Sequence, residues 1–240
     1  MSQGIFIIGT DTEVGKTVVC AGLMHLLLQK GQNAAYFKPV ASGEVVLNGA
    51  SVPGDAAFVC AASGFQENMK TITPFSFADS VAPHLAARLA GRRIERDVIH
   101  KNLEVLKSRH DMILGEAAGG LAVPLDDDGW MQYDLIRDLN FPCLLVARAG
   151  LGTINHTFLT LRFAEGVGLK VKGIIVNRAG DTLIERDNIQ MVRKLSGKRP
   201  VFTVPDILAV DTEKLQAGNL AAVFEQCLAM EDLLALMETL

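Results

Sequence analysis

Nine residues near the start of the chain, Gly9-Thr10-Asp11-Thr12-Glu13-Val14-Gly15-Lys16-Thr17, combine glycines, a lysine and a hydroxyl in one loop. They follow an apolar run and precede a helical pattern, which is the setting a phosphate-wrapping loop requires. Glycines let backbone N–H groups turn toward phosphate oxygens, and the helix N-terminus adds partial positive charge. Lys16 would reach the β- and γ-phosphates, and the Thr17 hydroxyl would bind Mg²⁺. The standard pattern has four residues between its first glycine and the Gly-Lys pair, whereas Thr10 to Val14 make five here, a lengthened variant.

Other candidates are single residues at the ends of apolar runs. Glu116 follows Asp111-Met112-Ile113-Leu114-Gly115 and precedes Ala117-Ala118-Gly119-Gly120. It suits Mg²⁺ bound to a nucleotide, which takes only one or two carboxylates besides waters and phosphate oxygens. Asp55, after Pro53-Gly54, reads either as a second such ligand or as the N-cap of the next helix. Lys38, held before Pro39, reads either as a cation that neutralises a transferring phosphoryl group or as a surface lysine snorkelling from a sheet edge. Gly150-Leu151-Gly152-Thr153-Ile154-Asn155 opens a helix with Thr153 as its expected N-cap, an end that could receive a carboxylate. His84 and His156 lack a partner at ligand spacing, and Cys20 falls on a packed helix face, so these read as structural.

The elements that must position these residues alternate. Ile5 to Ile8, Ala34 to Phe37, Met112 to Leu114, Cys143 to Ala147, Val171 to Val176 and Val201 to Val204 read as strands apolar on both faces. Helical periodicity covers 17–30, 55–62, 82–90, 97–108, 133–139, 153–168 and 183–195. The order predicts an α/β fold with a doubly wound, mostly parallel sheet flanked by helices, and one domain over 1–240. In such sheets ligands lie beyond the carboxyl ends of the strands, where all the candidates fall.

Composition narrows the function classes. Charged residues make up 21% and hydrophobic ones 49%, a globular balance far from disorder. The net charge is −4, and basic residues come in short pairs such as Arg92-Arg93 and Lys198-Arg199, so a nucleic-acid surface is not expected. Cys20, Cys60, Cys143 and Cys227 form no CxxC pair and suit reduced, buried thiols. Residues 1–6 lack the basic patch and long apolar run of a signal peptide, and no uncharged run is long enough for a bilayer. A cytoplasmic location with no membrane contact is expected.

Taken together, Gly9 to Thr17, Lys38-Pro39-Val40-x-Ser42-Gly43, Pro83-His84, Glu116-x-Ala118-Gly119-Gly120 and Leu151-Gly152-x-Ile154-Asn155-His156 resemble the dethiobiotin synthetase family of P-loop NTPase-like enzymes. The resemblance runs in order over about residues 4–207, and the lengthened loop is that family's own form. It implies an ATP-dependent ligase of biotin synthesis that joins CO₂ (or bicarbonate) to 7,8-diaminopelargonic acid, giving dethiobiotin, ADP and phosphate. In the family, a carbamate and then a carbamic–phosphoric anhydride precede ring closure.

Carried over by position, Glu13, Val14, Gly15, Lys16, Thr17 and Val18 would wrap the triphosphate, and Thr17, Asp55 and Glu116 would hold Mg²⁺. Ala117, Ala118 and Gly119 would continue the nucleotide site. Lys38 would be the catalytic lysine, and Thr12 and Ser42 would face the diamine. Asn177, Arg178 and the backbone at Pro205, Asp206 and Ile207 would meet the adenine. The resemblance also implies a homodimer, in which Leu151, Gly152, Thr153 and Asn155 would hold the substrate carboxylate of the partner's site. Two departures stand out. Ala117 replaces a usual glycine, and 208–240 reads only as a loop and an apolar terminal helix. The main rival is a nucleotide-switching ATPase of the partitioning or positioning type, which usually carries a further lysine where this chain has Thr10 and Asp11.

Overall fold

Strand β1 (Gln3–Gly9) carries Ile5, Phe6, Ile7 and Ile8, none more than 1% exposed, because helices cover both of its faces. The computed structural model describes residues 1–47 and 49–240. After β1 come α1 (Lys16–Gln29) and β2 (Ala34–Phe37), then the short β3 (Val40–Ser42), β4 (Glu44–Leu47) and β5 (Ala50–Pro53). α2 (Gly54–Ser63), α3 (Met69–Ile72), β6 (Phe75–Phe77), α4 (Pro83–Leu89) and α5 (Arg96–Lys107) lead to β7 (Met112–Glu116). The chain continues through α6 (Gln132–Asp138), β8 (Cys143–Arg148), α7 (Thr153–Gly166), β9 (Val171–Asn177), α8 (Leu183–Leu195) and β10 (Val201–Val204). It closes with α9 (Leu220–Cys227), α10 (Met230–Leu236) and β11 (Glu238–Thr239).

The main sheet has the order β10-β9-β8-β1-β7-β2, all parallel, with β11 antiparallel on the start of β1. The six strands expected from the apolar runs are these six. Connections leave β1 toward β2 on one side and toward β8, β9 and β10 on the other, so β1 sits at the switch of winding direction. That is where an open α/β sheet binds ligands.

α1 is apolar almost all round, since the sheet lies on one side and α2 and α9 pack on others. Gly22 makes the α9 contact possible: a Cβ there would come 2.2 Å from a Phe224 ring carbon. α5 and α8 carry a single apolar stripe, as helices with one covered face do. No helix among the described residues is long and apolar enough to cross a membrane.

Helix ends lie within two residues of the expected bounds; the capping expectation for Thr153 is corrected, and of the two readings of Asp55 the capping one falls away. Thr153 is the first helical residue of α7; the cap is Gly152, in a left-handed conformation at φ 89°. Asp55 lies inside the first turn of α2, whose N-cap is Pro53, so its carboxylate is free for another role. The segment 208–240 holds two helices and a two-residue strand where one helix was expected.

Candidate active site

The loop between β1 and α1 turns on Gly15, which is left-handed at φ 93°. A side chain there would be strained, and its Cβ would come 2.1 Å from Asn177 Nδ2. That amide donates to the Val14 carbonyl at 3.0 Å, tying the end of β9 to the loop. Lys16 begins α1 and folds back, donating to the Asp11 carbonyl at 3.1 Å with only 6% exposure. Burial, and then the charge of Lys38, lower its pKa to about 8.

Strand register builds the rest of the cluster. Phe37 on β2 stands opposite Gly115 on β7, so Lys38 and Glu116 emerge side by side at the strand ends. Gly115 has Phe6 against it, with a ring carbon 2.2 Å from where a Cβ would lie, so only glycine lets β1 and β7 pack there. Lys38 Nζ lies 2.6 Å from Glu116 Oε1 and 2.5 Å from Asp55 Oδ2. Thr17 Oγ1 lies 2.8 Å from Glu116 Oε1 and 3.1 Å from Asp55 Oδ1. The Tyr36 hydroxyl donates to Glu116 Oε2 at 2.6 Å.

Lys38 is 3% exposed, so the snorkelling alternative does not describe it. Burial alone would lower its pKa, but Asp55 and Glu116 outweigh burial and raise it, keeping the ammonium charged. The same pairing works in reverse on Asp55: burial opposes its ionisation, and Lys38 overcomes that and lowers its pKa. Burial, then the Glu116 charge, pushes the Cys20 thiol and the Tyr36 phenol well up, so both stay protonated. Cys20 is thus an inert packed residue, as expected.

Lys16, Thr17, Lys38, Asp55 and Glu116 line a cleft of about 710 Å³. Of the predicted residues, Thr12, Glu13, Gly15, Lys16, Thr17, Val18, Lys38, Ser42, Asp55, Glu116, Ala118, Gly119 and Arg178 border it. Val14 and Ala117 are buried behind it. Ala117 N–H donates to the Ile7 carbonyl at 2.9 Å, and the left-handed residue of this turn is Gly119 at φ 67°. The methyl group in place of a glycine hydrogen is therefore accommodated. Asn177, Pro205, Asp206 and Ile207 do not border the cleft, although Thr212, just beyond them, does. Leu151, Gly152, Thr153 and Asn155 also lie outside it: Leu151 is 93% exposed, and the Thr153 hydroxyl turns inward to Thr157 at 3.5 Å. Neither His84 nor His156 borders the cleft.

Six bordering residues carried no earlier role: Ser80, Val81, Ala82, Pro83, Val123 and Thr212. Ser80, Val81 and Ala82 precede the quoted Pro83-His84, and Thr212 lies in a turn held by Asp211, which accepts from Glu213 N and Lys214 N. Tyr36 was also missed, though its position two residues before Lys38 is a signal, because alternate strand residues share a face.

Thr17, Asp55 and Glu116 converge as three hard oxygen donors, with space in front of them for phosphate. Two carboxylates and a hydroxyl fit Mg²⁺ carried by a nucleotide, which demands few protein ligands. A lysine at the junction of two carboxylates, a second lysine in the phosphate loop and this donor set form an arrangement whose charges suit phosphoryl transfer.

A family model described as "AAA domain" matches residues 3–214. An ATP-dependent dethiobiotin synthetase BioD from Clostridium kluyveri is 40% identical over 243 aligned residues, covering 100% of both chains. The protein of the same name from Clostridium novyi is 42% identical over 211 residues, covering 86% of this chain and 89% of that one. The chain belongs to the ATP-dependent dethiobiotin synthetase family. Among solved structures, the septum site-determining protein MinD from Pyrococcus horikoshii, complexed with Mg-ADP, superposes with a TM-score of 0.59 at 16% identity and covers 93% of each chain. A ParA family ATPase from Chlorobium tepidum gives 0.55 at 15% identity, covering 93% of this chain and 97% of that one. At such identities the likeness is one of fold, a parallel sheet around a phosphate loop. The two dethiobiotin synthetase relatives match 86–100% of the chain at 40–42% identity, so the family membership rests on them.

Proposed function

We propose that this dethiobiotin synthetase uses one domain to join CO₂ to 7,8-diaminopelargonic acid at the expense of ATP. The observation that carries the reading is the buried Lys38 ammonium between Asp55 and Glu116, with Lys16 at the mouth of the phosphate loop.

The backbone amides from Glu13 to Val18 would wrap the β- and γ-phosphates, and Lys16 would leave the Asp11 carbonyl to meet them. Mg²⁺, held by Thr17, Asp55 and Glu116, would offset charge on the phosphate oxygens. One amine of the diamine adds to CO₂ and loses a proton, giving a carbamate. A carbamate oxygen then attacks the γ-phosphorus, the bond to the β-phosphate oxygen breaks, and ADP leaves. The second amine attacks the carbonyl carbon of the mixed anhydride, phosphate departs with the C–O electron pair, and the ureido ring closes. Lys38 would lie between the γ-phosphate and the carbamate, where its charge offsets the repulsion between these two anions as the first bond forms. Thr12 and Ser42 border the same cleft and would position the amines, which is worth most where two must react in turn. Arg178 and the backbone after Pro205 would meet the base, with the Asn177 amide committed to Val14.

A homodimer completes the site. The exposed start of α7, capped by Gly152 and carrying Leu151 and Asn155, would receive the substrate carboxylate of the partner's cleft. Phosphate release from MgATP tests the reading against a nucleotide switch. Release should depend on diamine plus bicarbonate. Hydrolysis indifferent to both, but stimulated by DNA or vesicles, would overturn it.

A further inference from the structure

Tyr36 has no part in the reading above, yet it is 0% exposed and spends its hydroxyl on Glu116 Oε2 at 2.6 Å. The register explains the contact. Tyr36 on β2 stands opposite Leu114 on β7, and Lys38, just past the end of β2, follows it on the same face, as Glu116 follows Leu114. The phenol therefore reaches Glu116 from the core side and the ammonium reaches it from the cleft side. They use different oxygens: Tyr36 holds Oε2, whereas Lys38 and Thr17 share Oε1.

We propose that Tyr36 is a positioning residue that locks the Glu116 carboxylate so that Oε1 faces the cleft beside Thr17. The inference rests on reading Glu116 as a metal ligand. Without the hydroxyl, Oε2 is left buried with one donor fewer, and the carboxylate is held from its Oε1 side alone. Groups that orient a metal ligand from behind are worth about 10–100-fold in metal affinity.

The test is Tyr36→Phe, which keeps the ring and its packing. Mn²⁺ is titrated into the protein–ADP complex and followed by its electron paramagnetic resonance signal. We expect Mn²⁺ to bind about tenfold more weakly, with ADP affinity in EDTA unchanged. Adding Tyr36→Phe to Glu116→Gln should weaken Mn²⁺ no further. Wild-type Mn²⁺ affinity in Tyr36→Phe, alongside a clear loss in Glu116→Gln, would overturn the positioning role and leave the metal reading standing. Wild-type affinity in Glu116→Gln would remove both. A second measurement does not depend on folding of Tyr36→Phe. The chain has two tyrosines, so in Tyr133→Phe the ultraviolet resonance Raman doublet comes from Tyr36 alone. It should report a strong donor that weakens in the added Glu116→Gln background. A doublet insensitive to Glu116 would contradict the proposal.

Discussion

Lys38 and Glu116 close two neighbouring parallel strands with their charges 2.6 Å apart, and they are 3% and 1% exposed. Because Asp55 lies on the other side of the same ammonium, one cation serves two carboxylates. Lys38→Met keeps most of the side-chain length but leaves Glu116 buried and unpaired. Removing one partner of a buried pair costs about 3–5 kcal/mol, which in a chain of this size is on the order of a 10 °C fall in melting temperature. Mg²⁺ should recover part of that loss, since it supplies a cation to the same oxygens. Turnover should fall by about 10³ or more, in the range of a lost transition-state charge partner, while ATP affinity stays within a few-fold. Thermal melts with and without Mg²⁺, beside steady-state rates, check each part.

Lys16 sets a pH dependence. Its pKa of about 8 means that the ammonium is present below that pH and lost above it. The triphosphate favours the charged form, so ATP affinity should fall as pH rises through 8, and binding near pH 8–9 should take up a proton. Calorimetry in two buffers of different ionisation enthalpy reads the uptake directly. In Lys16→Ala the affinity should be low at every pH and the uptake absent. Flat affinity with no uptake in the wild-type chain would contradict the assignment.

The contact between Gly22 and Phe224 joins the phosphate-loop helix to the C-terminal segment. In Gly22→Ala the new methyl group would overlap the Phe224 ring, since the Cβ lies 2.2 Å from it. Overpacking costs about 1–3 kcal/mol, more than the roughly 1 kcal/mol of helix propensity that alanine gains over glycine. A net loss of stability is expected, and Phe224→Leu in the same chain should restore part of it. Denaturant melts of both single variants and the double variant give the coupling.

Much of the fold was legible in the chain. Apolar runs bounded by turn residues identified all six main strands, because strands buried on both faces need no alternation to be seen. β3 to β6 escaped because each is three or four residues long and gains its pairing from tertiary contact. The break between α9 and α10 is an extended residue, Leu228, with no glycine or proline to mark it. In the site, the phosphate loop was legible from local spacing alone. Lys38 and Asp55 each kept two readings, because their meaning depends on a partner on another element that spacing along the chain does not show. Tyr36 was missed for the same reason: its partner is 80 residues away in sequence.

A site shared between two subunits, as proposed above, predicts complementation between two inactive chains. Lys38→Ala damages the cleft, and Asn155→Asp places negative charge where the partner's substrate carboxylate would dock. If the two surfaces belong to one site across a symmetric dimer, mixed dimers carry one intact site, and randomly re-paired chains should recover about a quarter of wild-type activity. No recovery after confirmed subunit exchange would confine the whole site to one chain.

In the proposed reaction Lys16 and Lys38 direct one triphosphate toward carbamate chemistry on a diamine. Incubation with MgATP, ¹³C-bicarbonate and 7,8-diaminopelargonic acid, followed by mass spectrometry, tests it most directly. One labelled carbon should appear in a cyclic urea for each ADP formed, and that product should be lost in Lys38→Ala. ATP hydrolysis with no label entering the urea would contradict this reaction.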